Sequence, residues 1–153
     1  MQRKLLVCER HWQPFNVTRK LTACVTKLSS YYLLMSQPFA AGDNLIFQLE
    51  SGYGLLRVLA VDGDGFAAVW HVLTYEELFP DIESAEQALT APETLHVGYA
   101  HLALTDRAFE RTPVAKLSHQ SLNDHEMAAY QVWRKSAEPR VFDRSLLQLL
   151  GMR

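Results

Sequence analysis

The sequence predicts an α+β domain: a small antiparallel SH3-like β-barrel or meander, with C-terminal helices packed on it. Three observations lead there. Short runs rich in β-branched and aromatic residues follow one another between residues 43 and 73, separated by glycine-containing turns. A capped helical pattern opens at Asn123, and a leucine-rich one follows Asp143. The chain has 153 residues, 48% hydrophobic and 21% charged, which suits one folded domain.

Gly42-Asp43 is a turn signal. Residues 45–50 read as a first strand and residues 55–61 as a second, with Ser51-Gly52-Tyr53-Gly54 turning the chain between them. Asp62-Gly63-Asp64-Gly65 reads as a hairpin turn, because Asp and Gly accept the backbone angles it needs. Residues 66–73 complete the meander. Thr74-Tyr75-Glu76-Glu77 has the form of a capping box and predicts a short helix that Pro80 stops. Ser84-Ala85-Glu86-Gln87 has the same form and predicts another helical turn.

Residues 95–104 read as a fourth strand with a bulge or bend at Gly98, and residues 112–117 as a short fifth. Asn123 is a good N-cap, with Asp124 and Glu126 in the first turn behind it. Met127, Tyr130 and Trp133 then form an apolar stripe expected to face the sheet. The last helix is expected from Asp143 through Leu150, with Gly151 at its C′ position.

Residues 1–34 differ from the rest. They carry six Lys/Arg against one acid, a net charge of +5, so the remainder carries −7. Both cysteines, Cys8 and Cys24, fall there, at a spacing that matches no zinc or redox pattern. Met35-Ser36-Gln37-Pro38 looks like a protein start. The expected organisation is therefore a basic arm or upstream extension over 1–34 and one α+β domain over 35–153. Nucleic acid is expected only through the arm, since the acidic remainder repels phosphate. No stretch is apolar enough for a membrane span, and no signal peptide is recognisable. A cytoplasmic location is the expectation.

The usual catalytic signatures fail one by one. His125-Glu126 begins H-E-x-x-H, but Ala129 stands where the second imidazole belongs. A calcium loop counted from Asp62 would have Ala67 and Leu73 at its glycine and glutamate positions. Nucleophile-elbow and phosphate-loop motifs are missing. No catalytic residue, metal ligand or cofactor is assigned on these grounds, and the chain is read as a binding protein rather than an enzyme. The alternative is a small hydrolase or nuclease with a dispersed site around His96, His101 and Asp106, beside Arg107. His96 and His101 lie five apart, so on a regular strand they face opposite sides unless Gly98 supplies a bulge.

Between Glu76 and Glu93 there are six acids and no Lys or Arg. Acids steer a basic partner, and interspersed aromatic residues anchor it. The expected partner-binding residues are Tyr75, Glu76, Glu77, Phe79, Asp81, Glu83 and Glu86, and the expected partner is a basic protein.

Ala41-Gly42-Asp43-Asn44-Leu45-Ile46-Phe47-Gln48-Leu49, followed by Gly52-Tyr53-Gly54-Leu55-Leu56-Arg57-Val58-Leu59, resembles the opening of the bacterial immunity protein 26 family. The resemblance covers residues 40–75. It implies strands of an SH3-like barrel and a protein that neutralises a polymorphic toxin by occlusion. It carries over no functional residue, because the matching positions look structural. Other small barrels, including the PemK-like ribonuclease toxins, open with a similar turn and meander.

Overall fold

The computed structural model describes residues 39–151. Five antiparallel strands, β1 (Asp43–Leu49), β2 (Gly52–Asp62), β3 (Val69–Phe79), β4 (Val97–Thr105) and β5 (Val114–His119), form one sheet of order β4-β3-β2-β1-β5. Among the described residues four α-helices accompany it: α1 (Ile82–Ala88), α2 (Asp106–Glu110), α3 (Asp124–Arg134) and α4 (Leu146–Leu149). The α+β class holds. The sheet is open, with β4 and β5 as its edges, so the expected strands are present without barrel closure.

The physical reason is that both faces of the sheet are covered. Side chains alternate along β1, so Leu45 and Phe47 enter one core while Ile46 enters the other. Ala108 and Phe109 of α2 and Leu146 of α4 close the first core, where Trp70 stacks on Phe109 with ring centroids 4.2 Å apart. Ala85 of α1 and Tyr130 of α3 close the second. A barrel of this size buries one face only; here helices supply the apolar cover on each side.

The capping-box pattern at Thr74 does not open a helix. β3 continues through it to Phe79, and Tyr75 is only 6% exposed in the second core. The Thr74 hydroxyl accepts the backbone N–H of Tyr99 at 3.2 Å. Burial of Tyr75 and pairing to strands on both sides outweigh a local cap. α1 starts at Ile82, earlier than Ser84, because Asp81 is the actual N-cap and accepts the Ser84 N–H at 2.7 Å. α2 was not foreseen; its Thr105 cap is clear, but five residues carry no periodicity.

α3 has the full reciprocal capping box between Asn123 and Glu126, and Gly151 follows α4 at φ +68°. Phe47 is buried with its ring over Gly54, where any Cβ would collide with it. None of the described helices is long and apolar enough to cross a membrane. The expectations for residues 1–34, the basic arm and the two cysteines included, lie outside the described residues.

Candidate functional site

The three strands β2, β3 and β4 bring together side chains that lie far apart in sequence. His71 lies in β3 between Trp70 and Val72, both of which enter the first core, so alternation turns its imidazole to the second face. His71 Nδ1 lies 3.0 Å from His101 Nε2 of β4. On its other side, His71 Nε2 stands 3.2 Å from Asp62 Oδ2, off hydrogen-bond alignment. The Tyr130 hydroxyl reaches both Asp62 oxygens at 3.2 Å. Trp133 covers the pair, its ring centroid 4.5 Å from His71 and 5.5 Å from His101. Trp133 is itself fixed by donating its indole N–H to the Arg140 carbonyl at 2.8 Å.

Burial keeps both imidazoles neutral. It lowers the pKa of His71, against the opposing pull of Asp62, and with the neighbouring His71 it lowers that of His101 to about 4. Burial and Asp62 together raise the Tyr130 hydroxyl. The Asp62 carboxylate favours a proton on His71 Nε2, which leaves His71 Nδ1 as acceptor of the His101 Nε2 proton. His101 Nδ1 then carries a lone pair and has no partner among the described residues. Chemically this is a proton-accepting nitrogen held by a carboxylate–imidazole chain.

A second constellation lies on the same face. Arg57, 2% exposed, donates to the carbonyls of Gln120 and Ser121 at 3.2 and 2.9 Å and to Gln120 Oε1 at 3.1 Å. Its Nε stands 3.2 Å from Glu126 Oε1. Burial raises the Tyr75 hydroxyl, while Arg57 works the other way. Tyr75 and Glu126 line a cavity of about 380 Å³ with Leu73, Leu95, Val97 and Ala100.

The dispersed site expected around His96, His101 and Asp106 is not assembled. His96 precedes β4 and Asp106 follows it, so a nine-residue strand, about 30 Å long, separates them. His96 Nδ1 meets Glu77 Oε1 at 2.7 Å, and Asp106 accepts the Trp70 indole N–H at 2.9 Å. Arg107 pairs with Asp143 at 2.8 Å. Only His101 enters a cluster, and its imidazole partner is His71.

No family model, no curated protein and no solved structure matches this chain. The residues therefore carry the functional argument alone. Of the expected partner-binding set, Glu76, Asp81, Glu83 and Glu86 are exposed. Glu77 and Phe79 are half-buried, and Glu77 is engaged with the His96 ring and backbone N–H. Tyr75 belongs to the core and is no surface anchor. The exposed apolar residues of this region are Leu78 and Ile82. Among the described residues no cluster of three or more His, Cys, Asp or Glu is placed to hold a metal ion.

Proposed function

We propose that this chain is a binding protein that occludes a basic partner, in the manner of an immunity protein acting on a toxin inside the cell. One observation carries the reading. Between Arg57 and Arg107 the sequence holds nine acids and no Lys or Arg. Glu76, Asp81, Glu83, Glu86 and Glu93 of that stretch are exposed, with the apolar Leu78 and Ile82 among them. Exposed acids around apolar contacts favour fast encounter with a basic protein and a desolvated centre. The β1–β3 meander, whose register shifts between β2 and β3, is compatible with the SH3-like architecture that the family resemblance implies. The test is affinity capture in the native host with the wild-type chain and with Glu83→Lys/Glu86→Lys. Capture of a basic protein whose activity the wild type suppresses, lost in the charge-reversed form, supports the reading. A partner set indifferent to the reversal sinks it.

The Asp62–His71–His101 chain favours a second reading, a small hydrolase with His101 Nδ1 as general base. Hydrolysis of a model ester or of RNA that His101→Gln abolishes and His96→Gln leaves intact would establish it.

A further inference from the structure

The second core is closed unevenly. The apolar stripe of α3 starts only at Met127, and Met127, Tyr130 and Trp133 pack on the sheet. The residues before it, Asp124-His125-Glu126, offer no apolar side chain to the same face. A cleft of about 380 Å³ is left there, between the start of α3, residues 92–95 and the strands β3 and β4.

The floor and the mouth of the cleft differ. Leu73 and Tyr75 of β3 form a buried floor, 3% and 6% exposed. Leu95 and Val97 are apolar walls, and Val97 is 42% exposed. Glu93, Asn123 and His125 stand exposed at the mouth. An apolar cavity of about 150 Å³ holds one benzene molecule, so a cleft of about 380 Å³ has room for about two fused rings.

The polar groups of the cleft select the ligand. Glu126 is already satisfied: Oε1 pairs with Arg57 at 3.2 Å, and Oε2 accepts the Asn123 N–H at 2.9 Å. An ammonium ligand would have to compete with the buried Arg57 guanidinium for it. Glu93 at the mouth repels a carboxylate ligand. The Tyr75 hydroxyl remains. Its neighbour Arg57 carries donors only, so the hydroxyl proton has no acceptor among the described residues. A buried O–H is rarely left without an acceptor, and the cleft is where one can stand.

We propose that this cleft binds a small neutral molecule of about two fused rings, whose carbonyl oxygen accepts a hydrogen bond from the Tyr75 hydroxyl. Its rings lie against Leu73, Leu95 and Val97 and cover the exposed valine. A neutral acceptor is the class that none of these charged groups opposes. The site does not depend on the partner-binding reading and involves no catalytic step.

Coumarin, a neutral two-ring lactone, is the probe, and amide chemical shifts of the isotope-labelled full chain are the readout. The expected result is saturable shifts at Leu73, Tyr75, Leu95 and Val97, with a dissociation constant below about 1 mM. A coumarin carboxylate adds a negative charge to the same rings and should bind about fivefold more weakly or worse. Tyr75→Phe keeps the ring in the core and removes the donor, so coumarin binding should weaken about five- to tenfold. Ala100→Phe puts a ring into the cleft from an exposed position of β4 and should abolish the shifts with melting unchanged. That variant remains decisive if Tyr75→Phe unfolds. A wild-type chain that shows no saturation by about 5 mM coumarin overturns the proposal. So do shifts centred away from the cleft, equal binding of the carboxylate, or binding indifferent to either substitution in a folded protein.

Discussion

His71 Nδ1 and His101 Nε2 face each other at 3.0 Å, a separation at which the two nitrogens share one proton. Protonating either ring further places a cation in a site closed by Trp133 and Tyr130. The folded-state pKa is lowered for both, to about 4 for His101, against an ordinary value of 6.5. As pH falls below 6.5 the unfolded chain takes up protons that the folded chain refuses. Stability present above that pH is therefore lost progressively as pH falls toward about 4. Thermal melting across this range should show the loss, and His101→Gln should flatten it. An identical pH profile in the variant would show that the pair does not control it.

Trp133 covers both imidazoles and donates to the Arg140 carbonyl. It is half-buried, so Trp133→Ala should cost about 2 to 3 kcal/mol, below the range for a fully buried tryptophan. Trp133→Phe keeps a ring over the pair and loses the hydrogen bond, a change of about 1 kcal/mol. Urea unfolding separates the two. Equal costs would mean that the indole N–H, rather than the covering ring, does most of the stabilising.

The meander and the Asn123-capped helix were legible because local signals and tertiary packing agree there. Glycine turns bracket alternating apolar runs, and the Met127, Tyr130 and Trp133 stripe packs on the second core as expected. The histidine cluster was not legible, because bulges create it. The β2–β3 register shifts between Val58 and Ala60, and Leu59 and Ala60 both pack on the second core. Strict alternation from Arg57 would send Asp62 to the opposite face from His71; the extra residue turns it back. A similar shift near Tyr99 sets the register of β4 before His101. A histidine inside an apolar strand run was a usable signal, since a buried imidazole needs partners. Nothing in the sequence told which partners those were. The acid run was legible as charge; Tyr75 was misplaced because a strand reading at residue 74 needed β4 as its partner.

Arg57 is the largest of the fully buried side chains; it donates hydrogen bonds to Gln120 and Ser121, and its Nε lies 3.2 Å from Glu126 Oε1 as an ion pair. Arg57→Met should destabilise by about 3 to 5 kcal/mol, because it leaves the Glu126 carboxylate without its cation in a nearly closed site. Pairing it with Glu126→Gln should recover part of that loss. Chemical denaturation of the two singles and the double gives the coupling; strict additivity would mean that the 3.2 Å contact contributes nothing.

Gly54 lies beneath the Phe47 ring, with no room for a Cβ. Gly54→Ala should push the ring out of the first core and cost about 1 to 3 kcal/mol by overpacking. Phe47→Leu in the same background should relieve part of the cost by shortening the side chain above the new methyl. A Gly54→Ala protein that melts like wild type would mean that Phe47 has another place to go.

Asp43 ties β1 to β5. Its fully buried carboxylate accepts from Lys116 Nζ and His119 Nδ1, each at 2.7 Å, and from the Ala40 N–H at 2.9 Å. Burial alone would raise its pKa. The Lys116 bond, the Ala40 N–H and the His119 bond outweigh it, and the pKa falls below the ordinary 3.8. The sign is that of a depressed carboxylate: its stabilisation is present above about pH 4 and is lost as pH falls through the lower folded value. This window lies below the one governed by His71 and His101, so the two acid transitions are separable. Asp43→Asn keeps the shape and one acceptor but removes the charge. It should cost about 1 to 3 kcal/mol at neutral pH, since Lys116 and His119 are partly exposed and can return to water. The penalty should shrink below pH 4, where the wild-type carboxylate is itself being protonated. Melting of both proteins at pH 7 and pH 3 checks the difference. A constant gap at both pH values would show that the ionised form of Asp43 does not hold β5 to β1.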